Sequence, residues 1–373
     1  MEERRIILTA EQNVEFHNQV DYCIGTGRMG LALQQEYLEQ LALVQEEIGF
    51  RYIRGHGLFC DDMAIYQEAG DGTPEYNYTY IDRVMDSYRK LGLKPFLELG
   101  FMPGKLASGK QTIFYWKGNT TPPAFYEIWC EMVKALLKHF CDRYGREEVV
   151  TWPIEVWNEP NLPGFWEHAD MQEYFRLFHE TFTAVKAVDG RFRVGGPAVC
   201  GGSDEVWIRA FMQYCHDNDL PVDFVTRHHY TTQLPEQVGH YGYAELMEAE
   251  DGFANLHTTR EIIDSFPEYR GLEIHITEFN TSYIPTVRSM IPTRMRPLLR
   301  SSFPVWGRAM RPTPTGPLEM CLRNRASPLP RFTAVSGWWQ TAAFPNSPSG
   351  PLPFLRNSRR SRDIVSIRTI TGW

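Results

Sequence analysis

Two glutamates that follow short apolar runs carry the residue types that hydrolytic chemistry requires. Glu159 comes after the letters V-W-N and precedes Pro160, and Glu278 comes after I-H-I-T. Breaking a glycosidic bond requires one carboxyl group that protonates the leaving oxygen and a second, ionised one that attacks the anomeric carbon or activates water. Unlike surroundings can hold two carboxyl groups in these states, because burial raises a pKa while hydrogen bonds and cations lower it. Structural ion pairing explains either glutamate alone, whereas both together favour catalysis.

Short apolar runs alternate with amphipathic stretches, and this pattern predicts the elements that position the two glutamates. The runs cover residues 50–58, 76–80, 94–101, 152–158, 192–199, 223–230 and 273–279, separated by helical stretches such as 123–144 and 171–188. Such alternation predicts a parallel sheet with helical crossovers. A doubly wound open sheet fits this pattern too. Seven units are one short of a (β/α)8 barrel, whose sites lie at the carboxyl ends of the strands. In a closed barrel the fourth and seventh strands, which carry the glutamates, lie opposite each other.

Several blocks of the sequence resemble the β-xylosidases of glycoside hydrolase family 39. They lie between Cys23 and Tyr283 and include FRYIRGHGLFCDDMAIY, LELGFMPGKLASGKQTIFYWKGNTTPP, IEVWNEPNLPGFW, VDFVTRHHYT and IHITEFNTSY. The resemblance implies a retaining (β/α)8-barrel enzyme that releases terminal β-1,4-linked xylose from xylo-oligosaccharides without a cofactor. It makes Glu159 the general acid/base, on the fourth strand, and Glu278 the nucleophile, on the seventh.

The same resemblance implies which residues surround the sugar. Asn158 is expected to contact the 2-hydroxyl, and His56, His228 and Tyr230 to lie around the glycone. The aromatic candidates for stacking on sugar faces are Phe101, Tyr115, Trp116 and Trp166, although packing within the barrel explains these rings equally well. The alternatives are a clan relative that acts on an arabinoside, uronide or glucoside, and a carbohydrate-binding protein or inactive truncated product without catalysis.

Two further motifs resemble ligand sites, and the sequence argues against both. Residues 25–30 match the G-x-G-x-x-G dinucleotide fingerprint. The preceding residues 20–24 form only a weak strand, however, and no acidic residue ends a second strand about 20 positions later. His228, His229 and His275 suggest a metal, but adjacent residues on one strand point to opposite faces, and no carboxylate stands beside them at ligand spacing. We therefore expect neither a nicotinamide cofactor nor a metal ion.

Composition limits the remaining classes of function. The 373 residues are 43% hydrophobic and have a net charge of −8, which argues against a nucleic-acid partner. The apolar runs are shorter than the roughly 20 residues of a membrane helix, and the first residues lack the apolar core of a signal peptide. Seven cysteines form no C-x-x-C pair, which favours reduced thiols. These features predict a cytoplasmic protein without a membrane partner, and an intact chain is open to homo-oligomer formation.

The composition changes abruptly near residue 285. Residues 285–373 contain 14 arginines, no lysine, two acidic residues and 13 of the 25 prolines, so their charge is +12 and that of residues 1–284 is −20. A solvated basic arm is one explanation.

A shifted reading frame is the other explanation. Codons read one base earlier can encode D-V-F-E-E-Q-G-V-P-F-T-P-F-H-G-G-F-G-L-V-A over residues 319–340, which resembles the family's continuation. We therefore expect a catalytic barrel of seven strands over 1–284 and an irregular, out-of-frame segment over 285–373. The barrel would be incomplete, with the edges of its first and seventh strands unpaired, and the chain is expected to fold poorly or to be inactive.

Overall fold

The computed structural model describes residues 21–233, 236–238, 241–243, 245–280, 283 and 331–334. Eight parallel strands close a barrel in which neighbours in the chain are also neighbours in the sheet. The strands are β1 (Cys23–Arg28), β2 (Tyr52–His56), β3 (Lys94–Leu99), β4 (Ile154–Val156), β5 (Val194–Val199), β6 (Phe224–Tyr230), β7 (Glu273–Asn280) and β8 (Arg331–Ala334). The predicted (β/α)8 class is therefore confirmed, and the open sheet is excluded.

The eighth strand position differs from the sequence prediction of an open gap. The first two residues of β8 pair with His275 and Ile276 of β7, and the last two pair with Cys23 and Ile24 of β1. A four-residue strand thus joins the edges that were expected to be unpaired. The rest of residues 285–373 lies outside the described residues, and an irregular segment there stays a prediction.

The sequence prediction is wrong for the first two strands: it missed β1 and counted residues 76–80 as a strand. Because one strand was missed and one was added, the numbers of the later strands are still correct. β1 lies in the glycine-rich segment whose strand signal is weak, so residues 50–58 supply the second strand rather than the first. The sequence of β1, C-I-G-T-G-R, contains no apolar run. β2 packs closely against it, because a Cβ atom on Gly55 would lie 2.3 Å from Cγ2 of Thr26. Residues 76–80 are not a barrel strand. Pro74–Tyr76 pairs with Tyr66–Glu68 in a hairpin, and a helix begins at Thr79.

Seven α-helices and several shorter elements complete the described part of the chain. The helices are α1 (Gln35–Glu47), α2 (Thr79–Lys90), α3 (Tyr126–Tyr144), α4 (Arg146–Val149), α5 (Met171–Val188), α6 (Arg209–Asp217) and α7 (Ala249–Asp264). The 3-10 turns are Met29–Leu33, Asp61–Met63, Glu167–Ala169 and Pro267–Tyr269, and Asp204–Ile208 is a π-helix. Two further hairpins pair Thr112–Ile113 with Gly118–Asn119 and Glu236–Val238 with Tyr241–Tyr243. None of the described helices has the length and apolarity to cross a bilayer.

Aromatic side chains pack on both sides of the barrel wall. Outside, α3 packs against α5, and the buried indole of Trp129 donates a hydrogen bond to Thr181 at 2.8 Å. Inside, the rings of Phe96 and Phe224 meet across the barrel at 5.8 Å, and His275 lies against both. These side chains fill the lower interior, so the space for a ligand lies at the carboxyl ends of the strands.

Candidate active site

The carboxyl ends of β4 and β7 bring Glu159 and Glu278 together at the mouth of the barrel. Each glutamate is only 7% exposed. One carboxylate oxygen of each and a ring nitrogen of His228 all lie within 4.8 Å of one another. Nδ1 of His228 is 2.8 Å from Oε1 of Glu159 and 3.5 Å from Oε2 of Glu278. A single imidazole therefore lies between two buried carboxyl groups.

Unusual backbone conformations at the strand ends aim these side chains into the barrel. Trp157 and Glu159 have φ angles of 72° and 46°, in the left-handed region that non-glycine residues rarely adopt. The Glu159 N–H donates to the carbonyl of Ala198 at 3.0 Å, which ties the turn to β5. In β6 the pairing register with β7 shifts between Arg227 and His228. Strained backbone and bulges of this kind are concentrated at functional sites, where they re-aim side chains.

The surroundings of Glu278 favour its ionised form. Its Oε1 accepts from Nη1 of Arg54 at 3.1 Å and lies 3.3 Å from Nε2 of His56. The hydroxyl of Tyr230 donates to Oε2 at 2.6 Å. Burial alone would raise the pKa of Glu278, but His228, His56 and Arg54 together hold that pKa well below its usual value. Glu278 is thus a carboxylate that stays ionised although it is buried.

A buried network of charges beneath Glu278 was not found by the sequence analysis. Arg54 of β2 contacts Glu98 of β3 at 2.9 Å and Glu155 of β4 at 2.6 Å, and the three side chains are at most 3% exposed. Thr277 of β7 donates to Glu155 at 2.8 Å. The signal that could have identified them is a charged residue inside each of three buried apolar runs, because buried charges must be paired.

The structure brings together the residues expected around the glycone. Asn158 is 1% exposed, and its Oδ1 accepts from Nη2 of Arg54 at 2.9 Å. Its Nδ2 has no hydrogen-bond partner among the described residues. His56, His228 and Tyr230 all contact Glu278. The Nδ2 amide group of Asn158 and the carboxylate of Glu278 are therefore both available to contact hydroxyl groups of a ligand.

The aromatic candidates divide into a wall of the site and a core. Phe101 and Trp116 stack at 5.9 Å, and Phe101 is completely buried. Phe114, which was not among the aromatic candidates, lies 5.9 Å from the His56 ring and is 43% exposed. Trp166 is buried and packs against Trp157 at 5.0 Å. Tyr115 is 75% exposed at the tip of its hairpin.

The same cluster meets the distance requirement of a metal site but not its charge requirement, because Arg54 already places a positive charge beside Glu278. Glu159, His228 and Glu278 each offer one ligand atom within 4.8 Å of the others, although the sequence spacing suggested no carboxylate near His228. A cation there would meet the positive charges of Arg54 and of His56. The other two histidines lie apart: His229 stacks on Phe279, and burial followed by the charge of Arg227 lowers the pKa of His229 to about 4. His275 packs in the lower interior.

The glycine motif belongs to the barrel wall. Its first four residues, 25–28, lie inside β1, and residues 29–33 form a 3-10 turn before α1 begins at Gln35. The dinucleotide fingerprint requires its glycines after a strand, in the turn that opens a helix. This arrangement therefore lacks the context that the fingerprint requires.

Comparisons with known proteins agree with this geometry. The model of glycosyl hydrolases family 39 matches residues 5–293. A β-xylosidase of Geobacillus stearothermophilus is 54% identical over 277 residues, which cover 73% of this chain and 55% of that protein. A β-xylosidase of Caldicellulosiruptor saccharolyticus is 37% identical over 70% of this chain and 52% of that protein. The solved structure of a monomeric β-xylosidase from Caulobacter crescentus CB15 is 39% identical, with a TM-score of 0.68 over 72% of this chain and 53% of that one. The chain thus spans about half the length of these relatives.

Proposed function

Because the chain belongs to family 39 of the glycosyl hydrolases, we propose that it releases xylose from the non-reducing ends of β-1,4-linked xylo-oligosaccharides. The two similar proteins named β-xylosidase support this choice of substrate. The observation that carries the chemistry is the pair of buried glutamates whose carboxylate oxygens lie within 4.8 Å. Retaining glycosidases hold their two carboxyl groups about 5–5.5 Å apart, whereas inverting enzymes need about 6.5–9.5 Å to admit a water molecule.

The proposed reaction is a double displacement. In the first step a carboxylate oxygen of Glu278 forms a bond to the anomeric carbon while the bond to the leaving oxygen breaks. Glu159 gives its proton to that oxygen. In the second step Glu159 takes a proton from water, the water oxygen bonds to the anomeric carbon, and the bond to Glu278 breaks. The low pKa of Glu278 suits the attacking role.

The neighbouring side chains have supporting roles in this proposal. Nδ2 of Asn158, unpartnered among the described residues, would donate to or orient the sugar 2-hydroxyl. His56 and Tyr230 would line the glycone and keep Glu278 oriented. His228 contacts both glutamates and would shield their carboxyl groups from solvent. Phe101 and Trp116 would form the aromatic wall, with Phe114 as its exposed edge.

The nucleophile is tested by replacing Glu278 with Gly in the full chain and adding azide. We expect the variant to lose turnover, because no carboxylate is left to attack, and to recover it when azide occupies the vacated space. The product should then be a glycosyl azide of inverted configuration, identified by NMR. A variant that azide does not rescue, or one that still turns over without azide, would reject the assignment.

A panel of nitrophenyl glycosides tests the substrate. The β-xyloside should have the highest kcat/KM, above the arabinoside, glucoside and uronide. A higher value for any of those three would identify that sugar as the substrate in place of xylose and would leave the proposed mechanism unchanged. If the unaltered chain binds xylose but turns over none of these glycosides, and Glu278→Gly binds xylose equally well, a carbohydrate-binding protein would be favoured.

We also propose that the protein acts in the cytoplasm. Five cysteines within the described residues are free thiols, and three of these, Cys60, Cys141 and Cys215, are buried. Small secreted domains usually pair their cysteines, whereas reduced thiols are typical of the cytoplasm. Cell fractionation tests this proposal, and recovery of the protein outside the cytoplasmic fraction would overturn it.

A further inference from the structure

Glu98 has no role in the reaction described above, yet it is completely buried beside the site. Its Oε2 lies 2.6 Å from Nδ1 of His56 and 2.9 Å from Nη2 of Arg54. Its Oε1 has no hydrogen-bond partner in the described part of the chain. A buried carboxylate is costly unless it is well paired, and this one leaves half of its accepting capacity unused. Such a group needs an explanation in terms of what it does to its neighbours.

His56 lies between Glu98 and Glu278 and contacts both through opposite ring nitrogens. Its Nε2 is 3.3 Å from Oε1 of Glu278. The rings of Phe101 and Phe114 stack along the imidazole at 6.1 and 5.9 Å and limit its contact with water. The charged groups that face it are Glu98 from β3, Glu278 from β7 and Arg54 from its own strand.

We propose that Glu98 is a positioning residue for Glu278: it holds His56 as a doubly protonated imidazolium that donates its Nε2–H to the nucleophile. The proposal rests on the proposed function only in naming Glu278 as the nucleophile. A neutral imidazole that donated Nδ1–H to Glu98 would present a lone pair to the Glu278 carboxylate, which is repulsive. Two protons on the ring satisfy both carboxylates at once.

Charge balance and protonation support this arrangement. Burial by itself lowers the pKa of His56, but Glu98 and Glu278 outweigh it and raise that pKa to about 10. The imidazolium is therefore present below that pH and is lost as the pH rises through it. Arg54 alone faces three carboxylates, those of Glu98, Glu155 and Glu278. A positive charge on His56, next to Glu278, offsets part of the negative charge of these three carboxylates.

The test compares Glu98→Gln with the matched control Glu155→Gln. Both variants remove one buried carboxylate from Arg54, but only Glu98 contacts His56. Histidine labelled with 15N reports the protonation of each ring nitrogen by NMR, and a His56→Asn variant identifies the His56 signal. We expect both nitrogens to be protonated at pH 8 in the unaltered full chain and in Glu155→Gln, and the pKa of His56 to fall by about two units or more in Glu98→Gln.

Activity should change in the corresponding direction. Above the lowered pKa of His56, kcat/KM of Glu98→Gln should fall about tenfold per pH unit, a loss that Glu155→Gln does not share. Glu98→Asp, which keeps the charge, should restore part of the alkaline activity.

A neutral His56 at pH 8 in the unaltered chain, or an equal change in both glutamine variants, would overturn the proposal. The NMR measurement needs no turnover, so it stands even if azide rescue rejects Glu278 as the nucleophile. If Glu98→Gln does not fold, the protonation of His56 in the unaltered chain at pH 8 still tests the proposal.

Discussion

The hydroxyl of Tyr230 makes the shortest contact with the proposed nucleophile, 2.6 Å to Oε2 of Glu278. Burial raises the pKa of Tyr230, and the nearby charge of Glu278 raises it further, so the phenol stays protonated and donates. A hydrogen bond to a charged group contributes about 1.5–3 kcal/mol. This contact therefore stabilises the ionised form of Glu278 over the protonated form.

Replacing Tyr230 by Phe should raise the pKa of Glu278 by roughly one to two units, because a pKa unit corresponds to about 1.36 kcal/mol. Glu278 must be ionised to attack, and it is ionised above its pKa. Activity is lost as the pH falls through that value, so the acidic limb of the kcat/KM profile should move upward. The matched control is Tyr126→Phe, whose hydroxyl donates to Glu173 at 2.6 Å away from the mouth. An upward shift in the control as well would argue against a local effect.

In the first step of the reaction, Glu159 should matter only where the leaving group needs a proton. In Glu159→Ala, aryl xylosides with acidic phenols should still release phenol rapidly, followed by slow hydrolysis of the glycosyl-enzyme because no base activates water. Substrates with poor leaving groups should slow by about 10²–10⁴-fold. Stopped-flow measurement of phenol release separates the two steps. Equal losses for good and poor leaving groups would contradict the acid/base role.

At the scale of elements, the hairpin that carries Phe114 and Trp116 is built around a close contact at Gly118. A Cβ atom at this position would lie 2.6 Å from Cδ2 of Phe101 and 2.7 Å from Cζ3 of Trp116. Gly118 is itself buried, and these rings form the wall beside His56. The hairpin backbone at Gly118 therefore packs directly against the rings that form the wall of the site.

Gly118→Ala should destabilise the protein by about 1–3 kcal/mol, the usual cost of overpacking a tight interior, and should raise KM more than it lowers kcat. Gly164→Ala is the control, because its Cβ would meet only Cδ1 of Ile113 at 3.8 Å. Urea unfolding gives the stability change and steady-state kinetics the rest. If both alanines behave alike, the close contact at Gly118 has no special role.

The sequence predicted those elements whose evidence is local. β3 to β7 follow apolar runs, and both long amphipathic stretches are helices, α3 and α5. Glu159 and Glu278 could be identified because each ends such a run. Arg54, Glu98 and Glu155 also lie in such runs, but their pairing could not be predicted, because it depends on three strands lying side by side. β1 (Cys23–Arg28) was missed because its sequence, C-I-G-T-G-R, has two glycines and two polar residues and therefore contains no apolar run.

At the scale of the whole molecule, the barrel is closed by the strand that has the fewest register pairs. β8 has only four residues and two register pairs with each neighbour, whereas β6 and β7 pair at seven positions. The residues around β8 belong to the segment with a charge of +12, beside a unit with a charge of −20.

We propose that this contrast has a genetic origin: residues from about 285 onward are an out-of-frame reading, and residues 1–284 form the catalytic barrel. Read one base earlier, residues 287–292 can encode P-V-H-D-T. Most positions of the shifted reading are degenerate, but the single codons of Met290 and, in the stretch 319–340, of Trp338 force the residue that is read there. Sequencing the DNA across codons 280–290 should reveal the missing or additional base.

A chain with the restored frame should unfold at higher urea concentration than the 373-residue chain and have higher xylosidase activity, because a full eighth strand would pair along β1 and β7. Equal stability of the two chains would show that the present residues do not weaken the barrel. An undisturbed frame in the DNA would show that the basic segment is native to this protein. In that case the four residues of β8 are sufficient to close the barrel.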